Sequence, residues 1–158
     1  MYKAVTREIE VSVEPSFMPD RSSADKHSYF WAYRIVITNR GTETVQLKTR
    51  HWIITDAAGR KQTVKGEGVV GEQPILRPGE AFEYTSGVPL NTSSGFMTGR
   101  YQMVSDRGER FEIDIPTFSL DSPPDFMIRR ARQASAGDEN VDVPSRPTDP
   151  PPAKRTLH

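Results

Sequence analysis

Apolar residues recur at every second position along most of the first 120 residues. Val5, Ile9, Val11 and Val13 share one phase with Arg7, while Thr6, Glu8, Glu10 and Ser12 take the other. A period of two puts alternate side chains on opposite faces, so residues 5–13 are predicted to be one half-buried strand. A polar loop from Pro15 to Ser28 follows. Residues 29–38 alternate most strongly. Tyr29, Trp31, Tyr33, Ile35 and Ile37 lie on one face, and Phe30, Ala32, Arg34, Val36 and Thr38 on the other. Aromatic and β-branched side chains fit a pleated surface. The three rings share the phase of Ile35 and Ile37, so they read as core rather than as an exposed partner-binding strip.

Asn39-Arg40-Gly41 supplies a turn into a strand over residues 44–55. The apolar phase shifts along that strand, which predicts a bulge or burial on both faces near Trp52. Asp56-Ala57-Ala58-Gly59 is a turn, and residues 60–64 form a short strand. In Leu76-Arg77-Pro78-Gly79-Glu80, Pro78 sets φ at the first central position and Gly79 takes positive φ at the second. Residues 81–86 form a strand and 88–95 a loop. Strands over 96–104 and 110–120 close through Ser105–Glu109, with Gly108 left-handed. Pro116 predicts a bulge or an edge in the last strand. No part of residues 1–120 has a convincing helical period. Seven or eight short strands with turn signals between them predict an all-β sandwich of immunoglobulin or fibronectin type III kind.

The pattern stops at Ser122-Pro123-Pro124, so residues 1–124 are read as the domain and 125–158 as a Pro-rich tail. Asp125–Gln133 is compatible with one short helix, in which Phe126 and Ile128 precede Arg129, Arg130 and Arg132. The remainder reads as disordered, with too little apolar surface to offset its ordering entropy. Removing everything after Pro124 is therefore expected to leave stability nearly unchanged. From Asp125 on, six basic and five acidic residues nearly cancel.

Composition narrows the chemistry. The 158 residues include no Cys, which excludes disulfides, zinc ribbons and thiol catalysis and favours a reducing compartment. The start of the chain has no apolar h-region and no segment is apolar enough to span a bilayer, so a cytoplasmic protein without a membrane partner is expected. A net charge of zero argues against nucleic acid as a partner.

Gly66, Gly68 and Gly71 spell G-x-G-x-x-G, a spacing found in phosphate-binding loops. With Lys65 and Arg77 they make a candidate anion site. The motif normally opens a helix, whereas here it lies between strands. Pro74 lacks a donor, and Glu67 and Glu72 repel phosphate. The competing reading gives each glycine a backbone task in a strand-to-strand crossover. No metal site is expected: His27, His51 and His158 have no ligand spacing, and Glu112 and Asp114 read as a solvated strand face. No G-x-S-x-G elbow accompanies the many hydroxyls, so no catalytic residue and no cofactor are expected.

Three strings carry a family resemblance: Gly66-x-Gly68-Val69-Val70-Gly71-x-Gln73-Pro74-x-Leu76-x-Pro78-Gly79-Glu80, Gly95-x-Met97-x-Gly99-x-Tyr101-x-Met103, and Phe111-x-Ile113-x-Ile115-Pro116-x-Phe118-x-Leu120. Together with Trp52-x-Ile54-x-Asp56-x-x-Gly59, they resemble the ApaG family over residues from about 5 to 124. The resemblance implies a bacterial fibronectin type III-like sandwich labelled with cobalt and magnesium efflux or resistance, whose eukaryotic relatives recruit protein partners. It supplies no catalytic residue. The expected role is a non-enzymatic module binding an unidentified protein, with an indirect part in divalent-cation homeostasis; a homodimer is compatible with it. The alternative is a nucleotide- or pyrophosphate-binding protein, or a weak phosphohydrolase, using the Gly66–Gly71 loop.

Overall fold

The alternating pattern resolves into strands in a computed structural model that describes residues 1–124 together with Phe126. Among the described residues nine strands follow in order: β1 (Tyr2–Thr6), β2 (Ile9–Phe17), β3 (Tyr29–Asn39), β4 (Val45–Asp56), β5 (Lys61–Glu67), β6 (Ile75–Leu76), β7 (Ala81–Leu90), β8 (Ser94–Ser105) and β9 (Arg110–Asp121). They form two antiparallel sheets, β1-β2-β3-β7 and β5-β4-β8-β9, with the short β6 also paired to β4. The all-β sandwich expected from the alternation is the architecture observed. The core is the inner face of both sheets, where Tyr33, Trp52 and Phe118 meet in tilted and edge-on ring contacts. Tyr29, Trp31 and Tyr33 are buried, as their phase requires.

The segment 5–13 is not one strand. Arg7 and Glu8 have φ of +51° and +68° and reverse the chain between β1 and β2. Val5 is consequently 62% exposed, while Ile9, Val11 and Val13 are buried. Two positive φ values in a two-residue hairpin normally call for Asn-Gly, so the local signal is missing. A tertiary contact takes its place. The Arg7 guanidinium donates from Nη1 and Nη2 to Glu109, at 3.1 and 3.0 Å, and lies over the Phe111 ring at 4.2 Å. The Asp114 N–H donates to Thr6 Oγ1 and the Ser119 N–H to Tyr2 Oη, so β1 and β9 close one side of the sandwich.

The phase slip in β4 comes from a bulge between Leu47 and Thr49, earlier than the expected place near Trp52. Val45 and Leu47 are buried before it, Trp52 and Ile54 after it. At Pro116 both expected features occur: β9 ends its sheet, and its register against β8 shifts between Met97 and Gly99. Gly79 and Gly108 take the left-handed φ expected of them, +87° and +82°. β7 runs through Gly87 and Pro89 to Leu90, where a loop was expected.

Phe126, placed by sequence in the tail, lies in the core. Its ring centroid is 5.1 Å from that of Phe17 and 6.2 Å from that of Tyr29, and its N–H donates to the Pro123 carbonyl. The rest of the tail, including most of the short helix expected over Asp125–Gln133, lies outside the described residues. Because Phe126 packs on two rings, Phe126→Ala is expected to cost about 3 kcal/mol, the low end for truncating a buried Phe. That corresponds to a fall in Tm of roughly 6–12 °C; an unchanged melting curve would show the ring contributes nothing.

The Arg7 hydrogen bonds hold the Glu109 carboxyl below its ordinary pKa. A depressed folded-state pKa stabilises above the unfolded value and is lost as pH falls through the folded one. Glu109→Gln is therefore expected to be less stable than wild type at neutral pH, with the difference closing as pH drops below about 4. Denaturant titrations at several pH values would measure it.

Candidate functional site

The three glycines of G-x-G-x-x-G sit on a short hairpin that follows β5. Val69 and Glu72 exchange backbone hydrogen bonds of 2.8 and 2.9 Å. Val70 and Gly71 between them have φ of +42° and +82°. A β-branched residue in the left-handed region costs roughly 1–3 kcal/mol. Burial offsets that cost: Val69 is 1% exposed, and Val70 packs on the core. The hairpin is docked on the β4 bulge. The Lys48 carbonyl accepts the Gly68 N–H and Gln73 Nε2, both at 2.9 Å, and the Leu47 N–H donates to Pro74.

Each glycine answers a different local need. A Cβ on Gly66 would lie 2.8 Å from Arg50 Nη1. That nitrogen donates to the Glu67 and Gly68 carbonyls at 3.1 and 2.9 Å. Gly68 has φ +65°, and a Cβ there would collide with the Glu72 carbonyl oxygen. Gly71 needs only its positive φ, because the space beside it is open. The Gly68, Val69 and Glu72 N–H groups are all spent on internal bonds. The hairpin thus offers two carbonyls to a cation, Arg50, where a phosphate cradle offers converging N–H groups.

The other candidate anion ligands are dispersed. Lys65 pairs in register with His51 and is exposed. Arg77 belongs to the Pro78-Gly79 turn, where its N–H donates to Glu80 Oε1 and its Nη1 lies 3.6 Å from Glu80 Oε2. The structure brings Lys65 and Gly66 together as strand neighbours and Gly68 and Gly71 together on the hairpin, while Arg77 is held by a separate turn.

Behind Arg50 lies a cluster of buried phenols that the sequence reading did not assemble. The Tyr84 and Tyr101 hydroxyls hydrogen-bond across the two sheets. Burial pushes the pKa of Tyr33, Tyr84 and Tyr101 upward, and the nearby Arg50 charge only partly counters it. All three are neutral at ordinary pH and serve as structural hydroxyls.

Among the described residues no three His, Asp or Glu side chains lie close enough to hold a metal ion. A groove of about 520 Å³ on the outer face of the five-stranded sheet is lined by residues including Thr49, His51, Lys65, Gln102 and Glu112. Glu112 lies 3.9 Å from Arg100, and Asp114 stands opposite Arg100 in register. These are the pairings of a solvated strand face.

The most accessible binding chemistry is main-chain. β7 is the last strand of its sheet. The Asn39 N–H donates to Glu80, whereas the Phe30 N–H and carbonyl turn the other way, to Ser22 and Met18. Antiparallel alternation then directs the odd-numbered residues of β3 toward β7. On β7 the even-numbered residues answer them. Ala81, Glu83, Thr85 and Gly87 direct N–H and C=O outward, and Pro89 falls where no bond to β3 is lost. Among the described residues these outward groups have no backbone partner. Sequence reading missed this edge because Gly87 and Pro89 read as loop.

The ApaG domain model matches residues 19–105. The chain is 80% identical over 128 residues to Protein ApaG of Bradyrhizobium diazoefficiens, covering 81% of this chain and 98% of that protein. It is 71% identical over 123 residues to Protein ApaG of Rhodopseudomonas palustris, covering 78% and 95%. A crystal structure of the ApaA protein from Bordetella pertussis superposes with a TM-score of 0.73 at 47% identity, covering 77% of this chain and 99% of that one.

The three glycines should respond unequally to alanine. Gly71→Ala is expected to cost about 1 kcal/mol for positive φ alone. Gly68→Ala adds a backbone collision and is expected to cost at least about twice as much. Equal losses in urea titrations would contradict these separate roles. With the Gly68, Val69 and Glu72 amides spent internally and the Glu67 and Gly68 carbonyls turned to Arg50, millimolar pyrophosphate is expected to leave the melting temperature unchanged.

Proposed function

The chain belongs to the ApaG family, and from that premise we propose that it is a non-enzymatic binding module that takes up a protein partner by strand addition to β7. The observation that carries this reading is the edge of β7, where Ala81, Glu83, Thr85 and Gly87 direct outward main-chain groups that have no backbone partner among the described residues. An extended segment laid along such an edge gains a ladder of hydrogen bonds, and its alternate side chains supply specificity. Ala81 and Thr85 carry small, neutral side chains and Gly87 none, which leaves the approach open. The one charge on the strand, Glu83, is held by Arg34 Nε at 2.6 Å.

The glycine hairpin is proposed as scaffold rather than ligand site, since its Gly68, Val69 and Glu72 amides are bonded internally and its Glu67 and Gly68 carbonyls face Arg50. A tie to cobalt or magnesium is proposed to act through the partner, because the described side chains form no cluster of metal ligands. Among the described residues no helix is long and apolar enough to cross a membrane; the cytoplasm is the proposed compartment.

Thr85→Pro tests the reading. It deletes an outward N–H and leaves the β3 bonds intact, as Pro89 already does. In a pull-down from native cell extract, proteins retained by the wild type are expected to fall at least tenfold with a Thr85→Pro variant whose circular dichroism is unchanged. Undiminished capture by the folded variant would rule out strand addition at β7.

A further inference from the structure

The free edges of the two sheets are not alike. β5 carries Lys61 and Lys65, the side chains that most often guard an edge. β9 is bulged, contains Pro116 and packs with β1 through Thr6 and Tyr2, so that β1 and β9 cover one another. β7 has no Lys, no Arg and no bulge, and its register against β3 runs unbroken from Leu90 to Ala81. Its proline lies near one end. A long edge with unbroken register and no such guard is a pairing site or an aggregation site.

We propose that in the free protein this edge is occupied by β7 of a second copy of the chain, the two strands pairing antiparallel about a two-fold axis and joining the four-stranded sheets into one. The inference rests on the strand-addition reading for the geometry of the edge and adds the occupant. Self-pairing must set outward residues against outward residues. With the axis at Tyr84, Ala81 faces the partner's Gly87 and Glu83 faces the partner's Thr85. Every outward N–H from Ala81 to Gly87 then meets an outward carbonyl, and Pro89 falls outside the paired stretch.

The charges agree with this register. Glu83 is the one ionisable carboxylate of β7; in this register it opposes a threonine and not its own copy, and Arg34 already neutralises it. Like charges directly opposite would be destabilising. The core side agrees as well. Phe82 is only partly buried at this edge in a single copy and would be covered by the second. Pairing stops at two because the far edges are guarded, so a closed dimer forms and not a fibre. A protein partner then has to displace the second copy, which makes self-pairing a cap on the binding edge.

Sedimentation equilibrium of the full chain tests this together with amide hydrogen exchange at Ala81, Glu83 and Thr85. The wild type is expected to be dimeric, with exchange at those three amides slowing as protein concentration rises. Thr85→Pro, or Ala81→Pro if that variant fails to fold, is expected to be monomeric with an unchanged circular dichroism spectrum. A wild type that stays monomeric at millimolar concentration, with fast exchange at all three amides, would overturn the proposal. So would a dimer that persists in the folded proline variants. The outcomes separate from those of the pull-down. A monomeric wild type whose partner capture is lost in Thr85→Pro removes the self-pairing and keeps the function. A dimer dissolved by Thr85→Pro with capture intact keeps the self-pairing and removes strand addition as the mode of partner binding.

Discussion

One extra residue in β4 organises the five-stranded sheet and the glycine hairpin docked on it. The bulge between Leu47 and Thr49 moves the inward phase from Val45 and Leu47 to Trp52 and Ile54. Arg50 shares the later phase, so its side chain turns toward the sheet interior and meets Gly66 across the strand pair. The bulge also frees the Lys48 carbonyl, which accepts two hydrogen bonds from the glycine hairpin. In an unbulged strand Arg50 would face solvent, and the Glu67 and Gly68 carbonyls would lose the donor that satisfies them.

The glycine motif follows from that arrangement. Its spacing matches a phosphate loop, yet the glycines are required one at a time: Gly66 by a guanidinium, Gly68 by a carbonyl and its φ, Gly71 by φ alone. Val70 is held in a conformation disfavoured for a β-branched side chain because Val69 is driven into the core. The same letters can thus encode an anion cradle before a helix or a docked hairpin between strands. The difference is whether the N–H groups point at one another's carbonyls or at a common centre.

Legibility of the sequence tracked how local each cause was. β3 could be read directly, because five inward apolar residues in strict alternation leave one solution. The turns at Gly79 and Gly108 were equally legible, since positive φ there depends on the residue itself. The Arg7-Glu8 reversal was not, because its support comes from Glu109 and Phe111, far away in the chain. The bulge was signalled by the phase slip, but not its position, which is set by pairing with β8. Phe126 looked like part of a polar tail until Phe17 and Tyr29 supplied a surface for it. For the candidate site, Lys65, the glycines and Arg77 were visible as residues but not as a dispersed set. The edge of β7 was hidden by a glycine and a proline that normally end strands. Both are tolerated here for physical reasons. The Phe30 ring lies over Gly87, and Pro89 turns its missing donor away from β3.

Strand addition at that edge, as proposed, favours a strand that is held still, and two contacts near its middle hold it from opposite faces. Inside, the Tyr84 hydroxyl binds that of Tyr101 and ties β7 to the second sheet. Outside, Glu83 is clamped by Arg34 on β3, which also reaches Glu14 on β2. A strand pinned from both faces loses little conformational freedom when another strand pairs with it, so more of the hydrogen-bond gain appears as affinity. The Tyr84–Tyr101 pair would thus bear on the proposed binding only indirectly, through the strand that it holds. In the proposed strand addition, specificity would come from register and alternation. Among the described residues β1 and β9 cover one another and β5 carries Lys61 and Lys65, which leaves β7 as the edge without such a guard.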